Sequence, residues 1–404
     1  MLRAVRPLRV LTTIESLGRG GAEQALTVLA PELLRRGVQL EVAALYGPYT
    51  LSPSLEDSGV RVHRLELSHR WNLAELALKL RLLAGVRPFD VVHGHLFFGY
   101  LAAAALARTG GARAAVATLH GLAYDAYPAT TAMKRARRRF DAQVLRHGFG
   151  LVTAVSAAVA RHYVSNLGLP MPHVLGNAVR VSAEVSELPR TTARAWLGER
   201  FGIPSAALAV VVPARLVREK GHTHLLHALS LLPEDLPLRA VLLGGGPLRE
   251  ELEAEARRRN VLGQVLFAGE VSADDVQRAM RGADVVALPS VSEGLPMVIC
   301  EAAQLGCALL ATRAGGIPEA VGDEGGALLV EPGPASATAL ADGLQRLAGD
   351  RALRDSLGAR AKAAAHRFTP SVIADAWLEL YARVSGMASA TGKAAGARDS
   401  GRAA

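Results

Sequence analysis

Residues 285–302 read VVALPSVSEGLPMVICEA, and this stretch decides the fold class. Its first four residues form an unbroken apolar run, which is typical of a strand buried on both faces of a parallel sheet. Pro296 follows a short polar turn and suits the start of a helix, because the N–H that proline lacks would be unpaired there anyway. A buried strand, a turn and a helix make one unit of a parallel α/β sheet.

The same alternation extends in both directions from this unit. Strands are predicted at 8–14, 40–45, 60–65, 91–94, 114–119, 151–155 and 173–175, and then at 207–213, 240–243, 265–268, 285–288, 308–311 and 327–330. Helical stretches such as 22–36 and 132–147 lie between them. The polar segment 182–194 has no apolar period and separates the two series. We therefore predict two doubly wound, Rossmann-like α/β domains facing across a cleft.

The predicted boundaries are 1–185 and 186–369, followed by a helix at 370–386 that could cross to the first domain and a disordered tail at 387–404. A chain of 404 residues exceeds one ordinary core, which stops growing at roughly 250–300 residues. No apolar run approaches the about 20 residues that span a bilayer, and the N-terminus lacks the pattern of a signal peptide. Cys300 and Cys307 lie too far apart on a helix for a disulfide, which fits a reducing cytoplasm.

The positive charge is concentrated in the first half of the chain. Residues 1–190 carry a formal charge of +10, whereas residues 191–404 carry −1. The densest basic run contains Lys134, Arg135, Arg137, Arg138 and Arg139. On a helix these side chains lie beside apolar ones, which favours an anionic membrane surface at the inner face of the cell membrane. An ordinary solvated helix is the open alternative, and nucleic acid is disfavoured because no aromatic stacking set accompanies the charge.

The motifs argue against two common functions of nucleotide-binding folds, hydride transfer with a dinucleotide and nucleotide hydrolysis at a P-loop. The first strand–helix turn places Glu23 where the dinucleotide fingerprint needs a small residue, and the chain has no GxxxxGK[ST] loop. Glycine turns at Gly20-Gly21 and Gly315-Gly316 still suit phosphate, because a helix N-terminus presents unpaired N–H groups. No metal-ligand cluster and no resident cofactor are predicted.

The unit at 285–302 also contains two carboxylates, Glu293 and Glu301, spaced as E-x7-E. Both can accept hydrogen bonds from sugar hydroxyls, and the amides of the Gly294-Leu295 turn can donate to the same ligand. Arg215 and Lys220 follow the first strand of the second domain, where two cations suit a diphosphate leaving group. This order within one domain indicates a site for a sugar linked to a diphosphate.

With these motifs the chain resembles the family 4 retaining glycosyltransferases of the GT-B fold, from about residue 8 to residue 384. The resemblance is carried by Gly20-Gly21-Ala22-Glu23, Thr118-Leu119-His120-Gly121, Arg215…Lys220-Gly221, Gly244-Gly245-Gly246-Pro247, Phe267-Ala268-Gly269-Glu270, Glu293-Gly294-Leu295-Pro296…Glu301 and Gly315-Gly316-Ile317-Pro318-Glu319. It implies a nucleotide-diphosphate sugar bound by the C-terminal domain, an acceptor bound by the N-terminal domain, and metal-independent transfer with retention.

The resemblance also implies roles for single residues. Arg215 and Lys220 would bind the diphosphate, Glu301 the ribose and Glu293 the donor sugar. The segment from Gly294 through Leu295 and Pro296 to Met297 would offer main-chain amides to the donor, and His120 would lie beside its sugar. Gly20 and Gly21 would let the backbone approach the phosphates, and Gly244 would also bind the donor. The base would be lined by the segment that contains Phe267, Gly269 and Glu270. His93 and His95 end another strand, where an acceptor-side role and a structural role both remain open.

These features predict a hexosyltransferase for cell-envelope or exopolysaccharide synthesis, with a glycan or a lipid-linked molecule as acceptor. A UDP-sugar is the first expectation for the donor and GDP-mannose the second. The alternatives are a sugar-nucleotide epimerase, a glycan phosphorylase, or a non-catalytic protein that binds nucleotide sugars. One departure concerns Ala178 and Arg180, which stand where the family commonly has Gly and Asp.

Overall fold

The computed structural model of the chain contains two parallel sheets, as the sequence predicts. It describes residues 6–69, 72–85, 87–126, 131–322 and 325–386; the predicted tail at 387–404 lies outside the described residues. The strands are β1 (Arg9–Ile14), β2 (Gln39–Ala44), β3 (Arg61–Arg64), β4 (Phe89–His95), β5 (Ala112–Leu119), β6 (Leu151–Ala154), β7 (His173–Val174), β8 (Leu208–Pro213), β9 (Leu238–Leu243), β10 (Val265–Gly269), β11 (Val285–Leu288), β12 (Leu309–Thr312) and β13 (Leu328–Val330).

The helices lie between these strands and after the last one. They are α1 (Gly21–Arg35), α2 (Ser52–Asp57), α3 (Leu73–Ala84), α4 (Leu96–Arg108), α5 (Ala123–Ala126), α6 (Ala132–His147), α7 (Ala157–Leu167), α8 (Ala183–Glu187), α9 (Arg190–Phe201), α10 (His222–Ser230), α11 (Arg249–Arg258), α12 (Ala273–Gly282), α13 (Met297–Gln304), α14 (Ile317–Val321), α15 (Ser336–Gly349), α16 (Arg351–Ala365) and α17 (Pro370–Ser385). No helix in the described part of the chain is long and apolar enough to cross a bilayer.

Each sheet has the strand order of a doubly wound fold. The first has seven strands in the order β3-β2-β1-β4-β5-β6-β7, and the second has six in the order β10-β9-β8-β11-β12-β13. Neighbouring strands of the second sheet all run parallel. In both sheets the order reverses beside the first strand of the series. Ligands of such sheets bind outside the carboxyl ends of the strands near that reversal.

Central strands are buried along their whole length. Every residue of β4 and of β8 is buried, and β8 contributes Leu208, Val210 and Val212 to the core of the second sheet. Continuous burial on both faces explains why β8 reads as an unbroken apolar run. Strand β4 also contains the buried polar residues Asp90, His93 and His95.

The chain divides into two compact units. Among the described residues, one unit comprises those within 6–118, 140–153 and 371–386, and the other comprises those within 119–139 and 154–370. Helix α17 thus belongs to the unit that contains the N-terminus.

The polar segment 182–194 is more regular than its sequence suggests. It contains α8 and the first turns of α9, which buries Ala193 and Leu197. Two buried positions four residues apart are enough to fix one face of a short helix, but they leave little periodic signal in the sequence.

Candidate active site

Most of the residues predicted to bind the donor lie at the carboxyl edge of the second sheet. Because β10, β9, β8, β11 and β12 lie side by side and run parallel, the loops that follow them meet along one edge. In that order the loops contain Gly269 and Glu270, then residues 244–247, 214–221, 289–296 and 313–316. Residues far apart in the sequence therefore become neighbours there.

Lys220 and Glu293 form a direct ion pair at this edge. The Lys220 Nζ donates to Glu293 Oε1 over 2.6 Å, and the Glu293 side chain is only 8% exposed. The same oxygen accepts from Ser290 Oγ at 2.7 Å, whereas no hydrogen bond to Oε2 is found within the described residues. One carboxylate oxygen is thus occupied, and the other can accept a further hydrogen bond.

Arg215 has a different environment from Lys220, although the sequence suggests the same role for both. Its guanidinium is 69% exposed and lies 3.8 Å from Glu219 on the next turn of chain. An exposed ion pair of this kind contributes little to stability. The Arg215 side chain is therefore free to change its conformation, whereas Lys220 is held by the Glu293 carboxylate.

The turn after Glu293 has no room for side chains. A Cβ on Gly294 would lie 2.0 Å from the carbonyl oxygen of His120, and a Cβ on Gly315 would lie 1.6 Å from that of Glu293. The carbonyl of Gly294 accepts from the Gly316 amide at 3.0 Å and from Ser156 Oγ at 2.8 Å. These contacts fix the backbone conformation at the N-terminal side of α13.

Close packing against neighbouring backbone also explains why residues 244 and 246 are glycine. Both residues have positive φ, +150° and +155°, and a Cβ on Gly244 would lie 2.3 Å from the carbonyl oxygen of Ala214. The Gly244 amide donates to Gly269 O at 2.8 Å, and the Leu216 amide donates to Gly245 O at 2.8 Å. The loops after β8, β9 and β10 are therefore bonded to one another.

Phe267 is placed differently from the interpretation that it lines a base. Its side chain is buried in the core of the second sheet, and its carbonyl accepts from Arg249 Nη2 at 3.1 Å. Leu295 is also buried, and Pro296 precedes the first helical residue of α13. A Cβ on Gly245 would lie 3.0 Å from the Glu270 side chain, so Glu270 lies against the turn after β9.

Glu301 lies on the second turn of α13 with its carboxylate half-buried. Burial raises the pKa of Glu301 to about 7. No hydrogen bond or ion pair to this carboxylate is found among the residues that the structure describes. A carboxylate kept from water without a partner has the character expected of one that receives ligand hydroxyls.

Two histidines at this edge are uncharged at neutral pH. Burial lowers the pKa of His120 to about 4, and burial together with the nearby Lys220 charge does the same for His222. His222 is 2% exposed, and neither ring nitrogen has a hydrogen-bond partner within the described part of the chain. No sequence pattern signals this, because burial of a single helix position depends on its neighbours in space.

Ser156 and Glu319 are two further residues whose function sequence reasoning missed. Ser156 caps α7 by accepting from the Val159 amide, and Glu319 accepts from the amides of Ala157 and Ala158 at 2.6 and 2.9 Å. The last residue of the Gly315–Glu319 motif thus binds a helix N-terminus, where a negative charge is stabilised.

Gly20 and Gly21 begin α1 in the other unit. The Glu23 carboxylate folds back over the first of them, since a Cβ on Gly20 would lie 2.2 Å from Glu23 Oε2. A Cβ at position 20 would displace the flexible end of the Glu23 side chain, whereas a Cβ at position 21 would meet nothing within 4 Å.

His93 belongs to a buried network in that same unit. Its Nδ1 lies 2.7 Å from Tyr381 Oη and its Nε2 lies 2.6 Å from Thr118 Oγ1, which in turn contacts Thr153. The ring packs on Trp377 with centroids 4.5 Å apart. Of the two roles left open for His93, the structure favours the structural one, because the side chain joins α17 to the sheet.

Comparisons with known proteins agree with this arrangement. Residues 20–178 match the model of the glycosyl transferase 4-like domain, and residues 199–364 match that of glycosyl transferases group 1. A GDP-mannose-dependent alpha-(1-6)-phosphatidylinositol monomannoside mannosyltransferase of Mycolicibacterium smegmatis is 30% identical over 322 residues, which cover 76% of this chain and 80% of that protein. A D-inositol 3-phosphate glycosyltransferase of Xylanimonas cellulosilytica is 34% identical over 218 residues, about half of either chain, at 53% and 51%.

Solved structures confirm the fold. The UDP complex of HepE from Anabaena superposes with a TM-score of 0.79 at 21% identity, covering 93% of this chain and 100% of that one. The lipopolysaccharide glycosyltransferase WaaG superposes with a TM-score of 0.70 at 16% identity, covering 94% and 100%. The two-sheet architecture and the matched family models support the same family. The chain belongs to the group 1 glycosyltransferases of family 4, with two GT-B-type α/β domains.

Proposed function

We propose that this enzyme transfers a hexosyl group from a nucleotide-diphosphate sugar to a glycan or a lipid-linked acceptor, with retention at the anomeric carbon and without a metal ion. The observation that carries the proposal is the fixed Lys220–Glu293 pair. It lies beside a glycine turn at the N-terminus of α13, with the half-buried Glu301 on the next turn of that helix.

Each group has a role in the proposed reaction. The Lys220 ammonium and the mobile Arg215 guanidinium would compensate the charge that grows on the departing phosphate, aided by the amides at the start of α13. The free Oε2 of Glu293 would accept a hydroxyl of the donor sugar, and Glu301 would accept the ribose hydroxyls. His120 would lie beside the sugar as a neutral imidazole.

The transfer itself exchanges one bond for another. The bond from the anomeric carbon to the phosphate oxygen breaks with its electron pair on the oxygen, while the acceptor hydroxyl attacks from the same face. The hydroxyl proton passes to the departing phosphate, so no enzyme nucleophile is required. Glu293 is poorly suited to that task because its carboxylate is held by Lys220 and Ser290.

A UDP-sugar is the first candidate for the donor and GDP-mannose the second. The HepE structure was solved with UDP, and the mycobacterial relative is named for its use of GDP-mannose. That relative also acts on a phosphatidylinositol mannoside, which supports a lipid-linked acceptor in cell-envelope synthesis for this chain.

A thermal-shift series tests the donor site. UDP, GDP, ADP, TDP and their sugar conjugates would be added with and without EDTA. A ligand at 100 times its dissociation constant stabilises by about 2.7 kcal/mol. We expect one nucleotide to stabilise the protein equally with and without EDTA, whereas no response to any of them would contradict the proposal.

Product analysis distinguishes the proposed transferase activity from the alternative functions. Transfer of labelled sugar to an extracted lipid or glycan fraction would support the transferase. Interconversion of sugar nucleotides without an acceptor would indicate an epimerase, and phosphate-dependent release of sugar phosphate from a glycan a phosphorylase. Tight donor binding with no product in any assay would indicate a non-catalytic binding protein.

We also propose that α6 binds an anionic membrane surface at the inner face of the cell membrane. Lys134, Arg135, Arg137 and Arg139 are exposed, while Arg138 lies over the Tyr124 ring. Met133 is 82% exposed and Phe140 48% exposed; seven residues apart, they share one face of the helix. Exposed apolar side chains among cations suit insertion between lipid headgroups.

Vesicle sedimentation tests this surface. The vesicles contain phosphatidylglycerol at about 30 mol%, which makes their surface anionic. Binding of the protein to them should weaken as the salt concentration rises. It should be lost when the five basic residues of α6 are changed to Gln. Phe140→Ser should weaken it without changing the charge. Equal sedimentation of all variants would contradict membrane binding.

A further inference from the structure

A cavity lies in the unit that contains the Lys220–Glu293 pair, but at the opposite edge of its sheet from that pair. Its volume is about 640 Å³, and it is lined by α9, by the turn that precedes β11 and by the start of α16. Asp284, which directly precedes β11, marks the amino edge of the strands. Volumes of roughly 300–1,000 Å³ are typical of small-molecule sites.

Four arginines and three carboxylates line this cavity. Two of the carboxylates have cations beside them: Asp284 lies 3.9 Å from Arg194, and Asp355 lies 3.7 Å from Arg351. Asp284 also accepts from the Ala209 amide at 2.9 Å. The third carboxylate, Glu199, is exposed at the rim.

Arg190 and Arg354 are the two remaining cations. Arg190 Nη2 donates to the carbonyl of Ala283 at 2.9 Å, and Arg354 Nη1 donates to the carbonyls of Leu347 and Ala348. Main-chain carbonyls hold a guanidinium in place without neutralising it. No carboxylate of the described residues lies within 4.0 Å of either group.

Arg281, which directly precedes the lining residue Gly282, adds a further positive charge near the cavity. Arg281 donates to the carbonyls of Leu188 and Leu305, and burial together with the Arg190 charge lowers its pKa. A guanidinium has five N–H donors, of which these anchored arginines use one or two. The remaining donors suit the oxygens of a phosphate, which guanidinium binds in a fork geometry.

We propose that this cavity binds the phosphate group of a small anionic metabolite through Arg190 and Arg354. The site is separate from the donor site, because strands of four to six residues at about 3.3 Å per residue place the two edges roughly 13–20 Å apart. Two cations held by carbonyls and facing one cavity are the observation that carries the proposal. The apolar side chain of Ile203 and the small residues of α9 leave room for the remainder of such a molecule.

Calorimetric titration with inorganic phosphate and with a hexose phosphate, at constant ionic strength set by chloride, tests the site. We expect binding by the unmodified protein and at least about tenfold weaker binding by Arg354→Gln and by Ser205→Asp. The second variant adds a negative charge at an exposed lining position and removes no hydrogen bond, so it remains informative if the first fails to fold. Binding of the hexose phosphate alone would identify an organic phosphate as the ligand, and equal binding of both would identify the free anion.

Two further variants separate this cavity from the donor site. Arg200→Gln removes one positive charge from α9 outside the cavity and should leave phosphate binding unchanged. Lys220→Ala, at the donor edge, should also retain it. The proposal is overturned if no phosphate binding beyond that of chloride is found, or if Lys220→Ala abolishes binding while Arg354→Gln and Ser205→Asp retain it.

Discussion

The ammonium of Lys220 lies 2.6 Å from Glu293 Oε1, although 73 residues separate the two in the chain. Each residue sits at the carboxyl end of a central strand, and β8 and β11 are neighbours in the sheet. The pair therefore exists because of the strand order, and it joins the loop predicted to bind a diphosphate to the loop predicted to bind a sugar.

Lys220→Ala should lower kcat/KM by at least about 10²-fold, because it removes a fixed positive charge from the departing phosphate. It also leaves the buried Glu293 carboxylate without its cation, so the double variant with Glu293→Gln should be less impaired than the product of the two single effects. Arg218→Ala, a change of an exposed cation in the same loop, is the matched control. Multiplicative effects in steady-state kinetics would show that the pair does not act as a unit.

The binding of a nucleoside diphosphate should become tighter as the pH rises from 6 to 8. Burial raises the pKa of Glu301 to about 7, so the carboxylate that we propose accepts the ribose hydroxyls becomes charged within that range. Glu301→Gln should remove this part of the pH dependence, while the part due to the ligand's own phosphate remains. Calorimetry of both proteins at each pH gives the difference, and identical profiles would argue against the ribose role.

The same group makes the folded state less stable at higher pH. Its pKa is higher in the folded protein than the ordinary 4.5, so the folded state holds a proton that the unfolded chain has already lost. The contribution is fully present below about pH 4.5 and is lost as the pH rises through about 7. Denaturant unfolding should show Glu301→Gln gaining stability relative to the unmodified protein across that interval.

Gly315→Ala should destabilise the protein by more than about 2 kcal/mol. Its φ of +53° costs a side chain about 1–2 kcal/mol, and the added Cβ would lie 1.6 Å from the carbonyl oxygen of Glu293. Gly202→Ala is the matched control, because its φ is +66° but nothing lies within 4 Å of an added Cβ. Chemical denaturation should rank the variants in that order, and equal losses would show that backbone strain alone matters.

Glu319→Gln should cost about 1 kcal/mol, because it removes a negative charge from the N-terminus of α7 and leaves one oxygen to accept hydrogen bonds. Glu187→Gln, on the exposed part of α8, should have almost no effect. Thermal unfolding of the two variants would test this, and equal melting temperatures would contradict the capping role.

Central strands such as β8 and β11 were predictable from the sequence because burial on both faces leaves unbroken apolar runs. Each of the thirteen predicted strands is found, with ends that differ by at most two residues. The side-chain environments were less accessible to prediction. Lys220 and Arg215 look equivalent in the sequence, yet one is bonded to a buried carboxylate and the other is exposed, because the distinction depends on the loop of a different strand.

The environments of Phe267 and His222 are also not predictable from the sequence. The segment that contains Phe267 is predicted to line a base, but the Phe267 ring itself is buried in the core of the second sheet. The imidazole of His222 follows Lys220 and Gly221 at the start of a helix, where the sequence gives no sign that it is buried. Both depend on packing between elements that are distant in the chain.

The turn at Gly294, held by Ser156, Gly316 and the backbone of His120, has a thermodynamic consequence for ligand capture. Ordering a loop costs entropy at the moment of association, and a loop that its own scaffold already holds avoids that cost. The amides before α13 are preorganised in this sense. Donor association at this turn is therefore expected to require little backbone rearrangement.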